Sequence, residues 1–179
     1  MEDLNTGAEV ALVAAENNVL GYVGKLEAHP KALLHRAISV IIFNSKGEQL
    51  VQQRAFNKYH FAGIWSNSCC SHPRKDESFQ AAAERRLQEE LGIDTPLKEE
   101  FNFIYKVYDE KSGLTEWEYD TVFTGVYDGE VDFNKDEVAA IKWMSNTELQ
   151  KGLTETPEQY SFWYKTIFEE MKKRGTINL

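Results

Sequence analysis

A chain of 179 residues is long enough to fold as a domain that buries about two thirds of its unfolded surface, and residues 1–179 are read as one domain. Hydrophobic content of 42% with 12% aromatic residues excludes a disordered chain, and a net charge of −9 argues against a general nucleic-acid-binding surface. The apolar runs, such as Val40 to Phe43, are too short to span a bilayer, so no membrane partner is expected. No basic stretch followed by an apolar core opens the chain, and no signal peptide is expected. The two cysteines, Cys69 and Cys70, are adjacent. Neighbouring cysteines rarely form an ordinary disulfide, which favours a reduced, cytoplasmic setting. The chain is expected to be a monomer or a weak homodimer. A small anionic substrate remains compatible with the acidic balance, because local Lys, Arg or metal can reverse the field at one site.

In chain order, residues 9–14 and 19–23 read as short strands around a turn at Glu16-Asn17-Asn18. A polar segment, Lys25 to Pro30, follows. Ala37 to Phe43 is a strong strand. Asn44-Ser45-Lys46-Gly47 turns it into a second at Gln49 to Gln53, as a hairpin. Residues 54–76 read as a long loop, and loops of this length inside a compact domain are usually functional. A helix is predicted over Ser78 to Leu91. Phe79, Ala83, Leu87 and Leu91 recur every fourth position on one face, and Gly92 stops it. Arg86 and Glu90 stand one turn apart on one face, Arg85 and Glu89 on the next. Strands follow at Phe101 to Tyr108, Thr115 to Tyr127 and Ala139 to Met144. Ser145 to Glu148 fits a capping box opening a short helix. Thr156-Pro157 is expected to open the last helix, with proline at its first position, ending near Arg174 before Gly175. Strands on both sides of one helix, with helices at the end, suggest a mixed sheet covered on its faces.

Histidines are few: His29, His35, His60 and His72. His60 reads as a surface residue. Glu116 and Glu118 are two apart on a predicted strand and point to one face. Imidazoles with carboxylates suit a divalent ion of intermediate hardness, with zinc, manganese and magnesium all open. Taken alone, each histidine is more often a packing or surface residue, and paired glutamates on a strand are more often a solvated face. The case rests on the ensemble.

Glu77, seven residues, then Arg85-Arg86-Leu87-Gln88-Glu89-Glu90-Leu91-Gly92-Ile93 resembles the Nudix box, whose glutamates hold Mg²⁺ on a diphosphate. Ser71 stands where the box has glycine, and Arg86 where it has its first helical glutamate. An arginine there weakens a hydrolase reading but keeps a diphosphate-binding one, since a guanidinium fork suits phosphate oxygens. The loop is more specific. Trp65-Ser66-Asn67-Ser68-Cys69-Cys70-Ser71-His72-Pro73 closely resembles the Trp-Thr-Asn-Ser-x-Cys-x-His-Pro signature of type I isopentenyl-diphosphate isomerases. The resemblance runs over roughly residues 10–170. Phe61-Ala62-Gly63 departs from the Trp-Pro-Gly common among the relatives.

The resemblance implies an α/β (α+β) fold, a Nudix-type α/β/α sandwich with a mixed sheet, and a shift of the C3–C4 double bond of a five-carbon isoprenoid diphosphate to C2–C3. Cys70 and Glu118 would be the acid–base pair, with Tyr105 assisting, and the order of donation stays open. His29, His35, His72, Glu116 and Glu118 would hold one divalent metal, Mn²⁺, Mg²⁺ or Zn²⁺, and Glu90 a Mg²⁺ carried with the diphosphate. Lys25, Arg54, Lys58 and Arg86 would neutralise phosphate oxygens. Trp163 would exclude water and offer a π face to a developing cation. Cys69 occupies the signature's variable position and is expected only to pack. Two rivals share the frame: a Nudix hydrolase of nucleoside diphosphates and a non-catalytic module that senses a diphosphate ligand.

Overall fold

The computed structural model describes residues 9–58, 61–110 and 112–179; His60 lies outside them. One mixed sheet organises these residues. Its centre is β3 (His35–Phe43), which carries β8 (Leu114–Val126) in parallel along its whole length, His35 opposite Glu118 through Phe43 opposite Val126. On its other side β3 pairs antiparallel with the short β6 (Cys69–Ser71), Ser39 facing Cys70. Beyond β8 lies β7 (Lys98–Asp109), antiparallel. β4 (Gln49–Arg54) joins β9 (Val138–Met144) and the two-residue β5 (Trp65–Ser66). The hairpin of β1 (Glu9–Val13) and β2 (Val19–Gly24) attaches where Leu12 faces His35.

Side-chain alternation along the strands sorts the core into two clusters. Ile38, Val40 and Ile42 of β3 join Cys69, Phe123 and the α2 (Phe79–Leu91) residues Ala82, Ala83, Leu87 and Leu91. Ile41 of β3 and Val122 of β8 pack instead with Leu149 and Leu153 of α3 (Asn146–Glu155) and with Tyr164, Ile167, Phe168 and Met171 of α4 (Phe162–Lys173). Burying a side chain such as Leu87 or Ile167 contributes roughly 1.5–3 kcal/mol. α2 begins at Ser78, whose hydroxyl accepts from the Ala81 amide at 3.1 Å. It ends at Gly92 with φ 64°. A Cβ there would lie 2.8 Å from the Asp132 carbonyl oxygen, so both the conformation and the space call for glycine.

Three sequence expectations change. Residues 54–76 are not a continuous loop: they include β5 and β6. Two- and three-residue strands are too short to show a period, and their partners lie far away in sequence on β3 and β4. Lys25–Ala28 is one helical turn, α1. Pro157 opens a separate 3₁₀ turn, Pro157–Gln159, and α4 starts only after Ser161. Between them Tyr160 is extended, and the Ser161 amide donates to the Trp65 carbonyl at 2.8 Å. That tertiary bond breaks the helix that proline chemistry alone would have started. The Ser145 capping box and the end of α4 at Arg174 fall where the sequence puts them.

Candidate active site

β6 and β8 flank β3, and their alternation decides which side chains meet. Cys69 points into the α2 core, fully buried, so its neighbour Cys70 points to the other face. On β8 the even positions Glu116, Glu118 and Asp120 are all buried and share the parity of Val122, which packs toward α4. One cavity is lined by Lys25, Arg54, Cys70, Tyr105, Glu116, Glu118 and Trp163, together with Ser39 and His72. The thiol and the carboxylate expected to act as a pair thus share one cavity.

Two of these lining residues also belong to a cluster: His29, His35, His72 and Glu118 each present a ligand-type atom within 4.8 Å of the others. Glu116 Oε2 lies 3.0 Å from His29 Nε2, which adds the fifth expected residue. The ring orientations are determined from behind. His29 Nδ1 donates to the Lys25 carbonyl and His35 Nδ1 to the Leu33 carbonyl, both at 2.8 Å. With Nδ1 committed to a carbonyl, each ring turns its Nε2 toward the cluster. His35 Nε2 lies 3.5 Å from Glu118 Oε1, and His72 Nε2 lies 2.8 Å from the same oxygen. Imidazole nitrogens this close to carboxylate oxygens need a proton or a cation between them. The donor set of nitrogens and carboxylate oxygens, with backbone carbonyls fixing two tautomers, fits a divalent cation.

The contacts within the cluster also shift the acidities of its groups. Burial disfavours charge on Glu118, but the hydrogen bonds with His35 and His72 outweigh it and hold the carboxyl down at about 2. Burial alone would lower His35, yet the hydrogen bond and charge of Glu118 raise it above its usual value. His72 is pulled down to about 3 by burial, against its bond to Glu118. Tyr105 donates its hydroxyl to Glu118 Oε2, and burial with the Glu118 charge raises the phenol well above its usual range. The Cys70 thiol is pushed up to about 12 by burial, with the Asp120 charge adding to it.

The remaining expected residues divide. Lys25 and Arg54 line the cavity. Arg54 Nε donates to the Phe61 carbonyl at 3.1 Å, and its guanidinium lies 5.7 Å from the centre of the Trp163 ring. Phe61 meets the same ring edge-on at 5.3 Å. Trp163 Nε1 donates to Cys70 Sγ at 3.0 Å. Lys58, Arg86 and Glu90 are not among the cavity-lining residues; they form a separate ionic network. Arg86 donates to Glu90 at 2.5 Å and to Glu89 at 2.7 Å, and lies 3.4 Å from Glu137, which Lys58 contacts at 2.5 Å. Gln52 Nε2 donates to the other Glu90 oxygen at 2.9 Å. Each Glu90 oxygen thus already accepts a bond, and the Arg86 charge is matched by carboxylates.

Ser39 and Asp120 join the site beyond the residues expected from the sequence. Ser39 lines the cavity and donates to Asp120 Oδ2 at 2.7 Å. Burial, then the Glu118 charge, raises the Asp120 carboxyl to about 8. The signal for Asp120 was in the sequence: it continues the two-residue spacing of Glu116 and Glu118. Ser39 carried none, since only the β3–β6 register sets it opposite Cys70.

Residues 33–164 match the model of the NUDIX domain family. The chain is 44% identical over 170 residues to isopentenyl-diphosphate Delta-isomerase 2 of Aromatoleum aromaticum, covering 95% of this chain and 89% of that one. It is 46% identical over 158 residues to the protein of that name from Photorhabdus laumondii, covering 88% and 89%. Among solved structures, a Deinococcus radiodurans protein superposes with a TM-score of 0.74 at 16% identity, over 90% of this chain and 98% of that one. The MutT protein of Methanosarcina mazei superposes with a TM-score of 0.66 at 20% identity, over 80% and 96%. These structural likenesses concern the fold.

Proposed function

The chain belongs to the NUDIX domain family and, within it, to the isopentenyl-diphosphate Delta-isomerases, and on that premise we propose that it interconverts isopentenyl and dimethylallyl diphosphate by acid–base chemistry between Cys70 and Glu118. The observation that supports this most is their placement: one cavity holds both, with Tyr105 bonded to Glu118 and Trp163 bonded to Cys70.

The reaction adds a proton at C4 of the alkene and removes one from C2, passing through a species with positive charge at C3. One group must give a proton and another must take one, so a thiol and a carboxyl facing a common space are sufficient chemistry. Tyr105 would hold the Glu118 carboxylate in one orientation and share its proton. Trp163 and Phe61 would shut out water, which would otherwise capture the cation. The Trp163 ring would stabilise that charge through its face.

His29, His35, His72, Glu116 and Glu118 would hold a divalent metal, Mn²⁺, Mg²⁺ or Zn²⁺, which when bound supplies the positive charge this buried cluster needs. Glu90 would meet the Mg²⁺ that travels with the diphosphate. Lys25 and Arg54 would take phosphate oxygens directly, and Lys58 and Arg86 would join them by exchanging Glu137 for phosphate. The distribution of these cations favours a diphosphate end of the site near α1, β4 and α2.

Chelation tests the metal assignment. Stripped protein should lose turnover of isopentenyl diphosphate and unfold at a lower temperature. Restoring the ion at about 100 times its dissociation constant should return roughly 2.7 kcal/mol of stability. A thoroughly stripped protein with unchanged turnover and an unchanged unfolding midpoint would rule the metal out.

A further inference from the structure

Asn67 has a side chain whose orientation is set by its neighbours. It is buried. Its Nδ2 donates to the Val40 carbonyl at 3.1 Å and to the Cys69 carbonyl at 2.9 Å. Turning the amide over would put an oxygen against two carbonyl oxygens, so Oδ1 must face the other way. There it accepts from the Cys70 thiol at 2.9 Å and from Ser66 Oγ at 2.9 Å.

The sulfur is held from a second side. Trp163 Nε1 reaches Cys70 Sγ and Ser66 Oγ, each at 3.0 Å. Ser66 Oγ is 2.9 Å from Ser161 Oγ, the hydroxyl that caps α4 two residues before Trp163. The helix carrying the indole and the β5–β6 segment carrying the thiol are therefore tied through Ser66. On a third side Ser39 Oγ stands 3.7 Å from the sulfur, its bond to Asp120 being the shorter one. Cys70 also lines the cavity.

From this arrangement we infer that Asn67 is a positioning residue for the reaction, holding the thiol hydrogen of Cys70 in one direction. The amide oxygen takes the hydrogen and the indole N–H takes a sulfur lone pair, so the two contacts are complementary. To meet a substrate carbon, the hydrogen swings away from Oδ1 about the Cβ–Sγ bond. A proton arriving on sulfur returns to the same acceptor. The geometry thus supplies one starting rotamer, which limits the search for a reactive alignment.

The inference rests on Cys70 being one of the acid–base pair, and its test separates the two ideas. The S–H stretching band of Cys70 is the infrared band that disappears in Cys70→Ala. It is read without turnover. In the wild-type protein it should lie below the frequency of a thiol without a hydrogen bond. In Asn67→Ala it should shift upward and broaden, kcat should fall about 10²-fold, and KM should change little, since the loss falls on the reacting geometry rather than on uniform binding. Trp163→Phe, which removes the indole donor to Cys70 Sγ and Ser66 Oγ but leaves the Asn67 acceptor in place, should leave the band low. A wild-type band at the frequency of an unbonded thiol overturns the inference even if the position-67 variant does not fold. So does a band unmoved in Asn67→Ala, or a shifted band with wild-type kcat. Retained turnover in Cys70→Ala would instead remove the reading of Cys70 itself.

Discussion

Cys70→Ala should lower kcat by about 10³-fold or more, the range expected when a positioned acid or base is deleted, while the protein keeps its fold. The thiol lines the cavity, and no other cysteine can replace it, because Cys69 points through the sheet into the α2 core. Alanine removes a single heavy atom, and the backbone pairing of β6 with β3 does not involve the side chain. The paired control is Cys69→Ala. It should keep most of the activity and lose some stability, since it opens space beside Leu87 and Phe123. Circular dichroism and steady-state turnover of both variants decide the point. A dead Cys69 variant with an active Cys70 variant would mean that the wrong thiol has been chosen, and wild-type turnover in Cys70→Ala would end the acid–base assignment.

Glu118→Gln should be as damaging for two separable reasons. Its carboxylate accepts from Tyr105 and lies against both His35 and His72. An amide cannot take a proton in the reaction, which again removes a factor of about 10³. The amide also removes a negative charge from the metal cluster. Metal affinity should drop by at least the roughly 10–100-fold seen when even an outer partner of a metal ligand is lost. Elemental analysis with a turnover assay at saturating metal separates the two effects. If saturating metal restores full turnover, Glu118 serves only as a ligand and another group must move the proton.

Much of this site was legible before the fold was known, for reasons that differ by residue. Glu116 and Glu118 follow strand alternation, which needs no tertiary information. Arg86 and Glu90 follow the helical turn, and they do pair. The histidines were harder. His29 ends a four-residue helix and His35 starts β3, and only the β3–β8 register brings His35 opposite Glu118. The loop signature, read as one motif, placed Cys70 and His72 but concealed how finely it is built. Ser66, Asn67 and Ser68 are all buried, each tying the segment to a different neighbour. Ser68 Oγ, for instance, bridges the Leu50 carbonyl and the Ile42 amide. Such bonds belong to a tertiary arrangement and leave no periodic trace. The same reason explains the late start of α4, where a bond to Trp65 overrides a favourable proline.

The most direct test is proton NMR of isopentenyl diphosphate with the metal-replete, reduced protein in D₂O, with phosphate release followed in parallel. Dimethylallyl methyl signals, deuterium entering the new methyl group, and no phosphate are the expected result. Phosphate without those signals would make the protein a hydrolase. Dimethylallyl product that carries no solvent deuterium, under conditions where the protein's own acidic hydrogens have exchanged, would contradict proton transfer by Cys70 and Glu118.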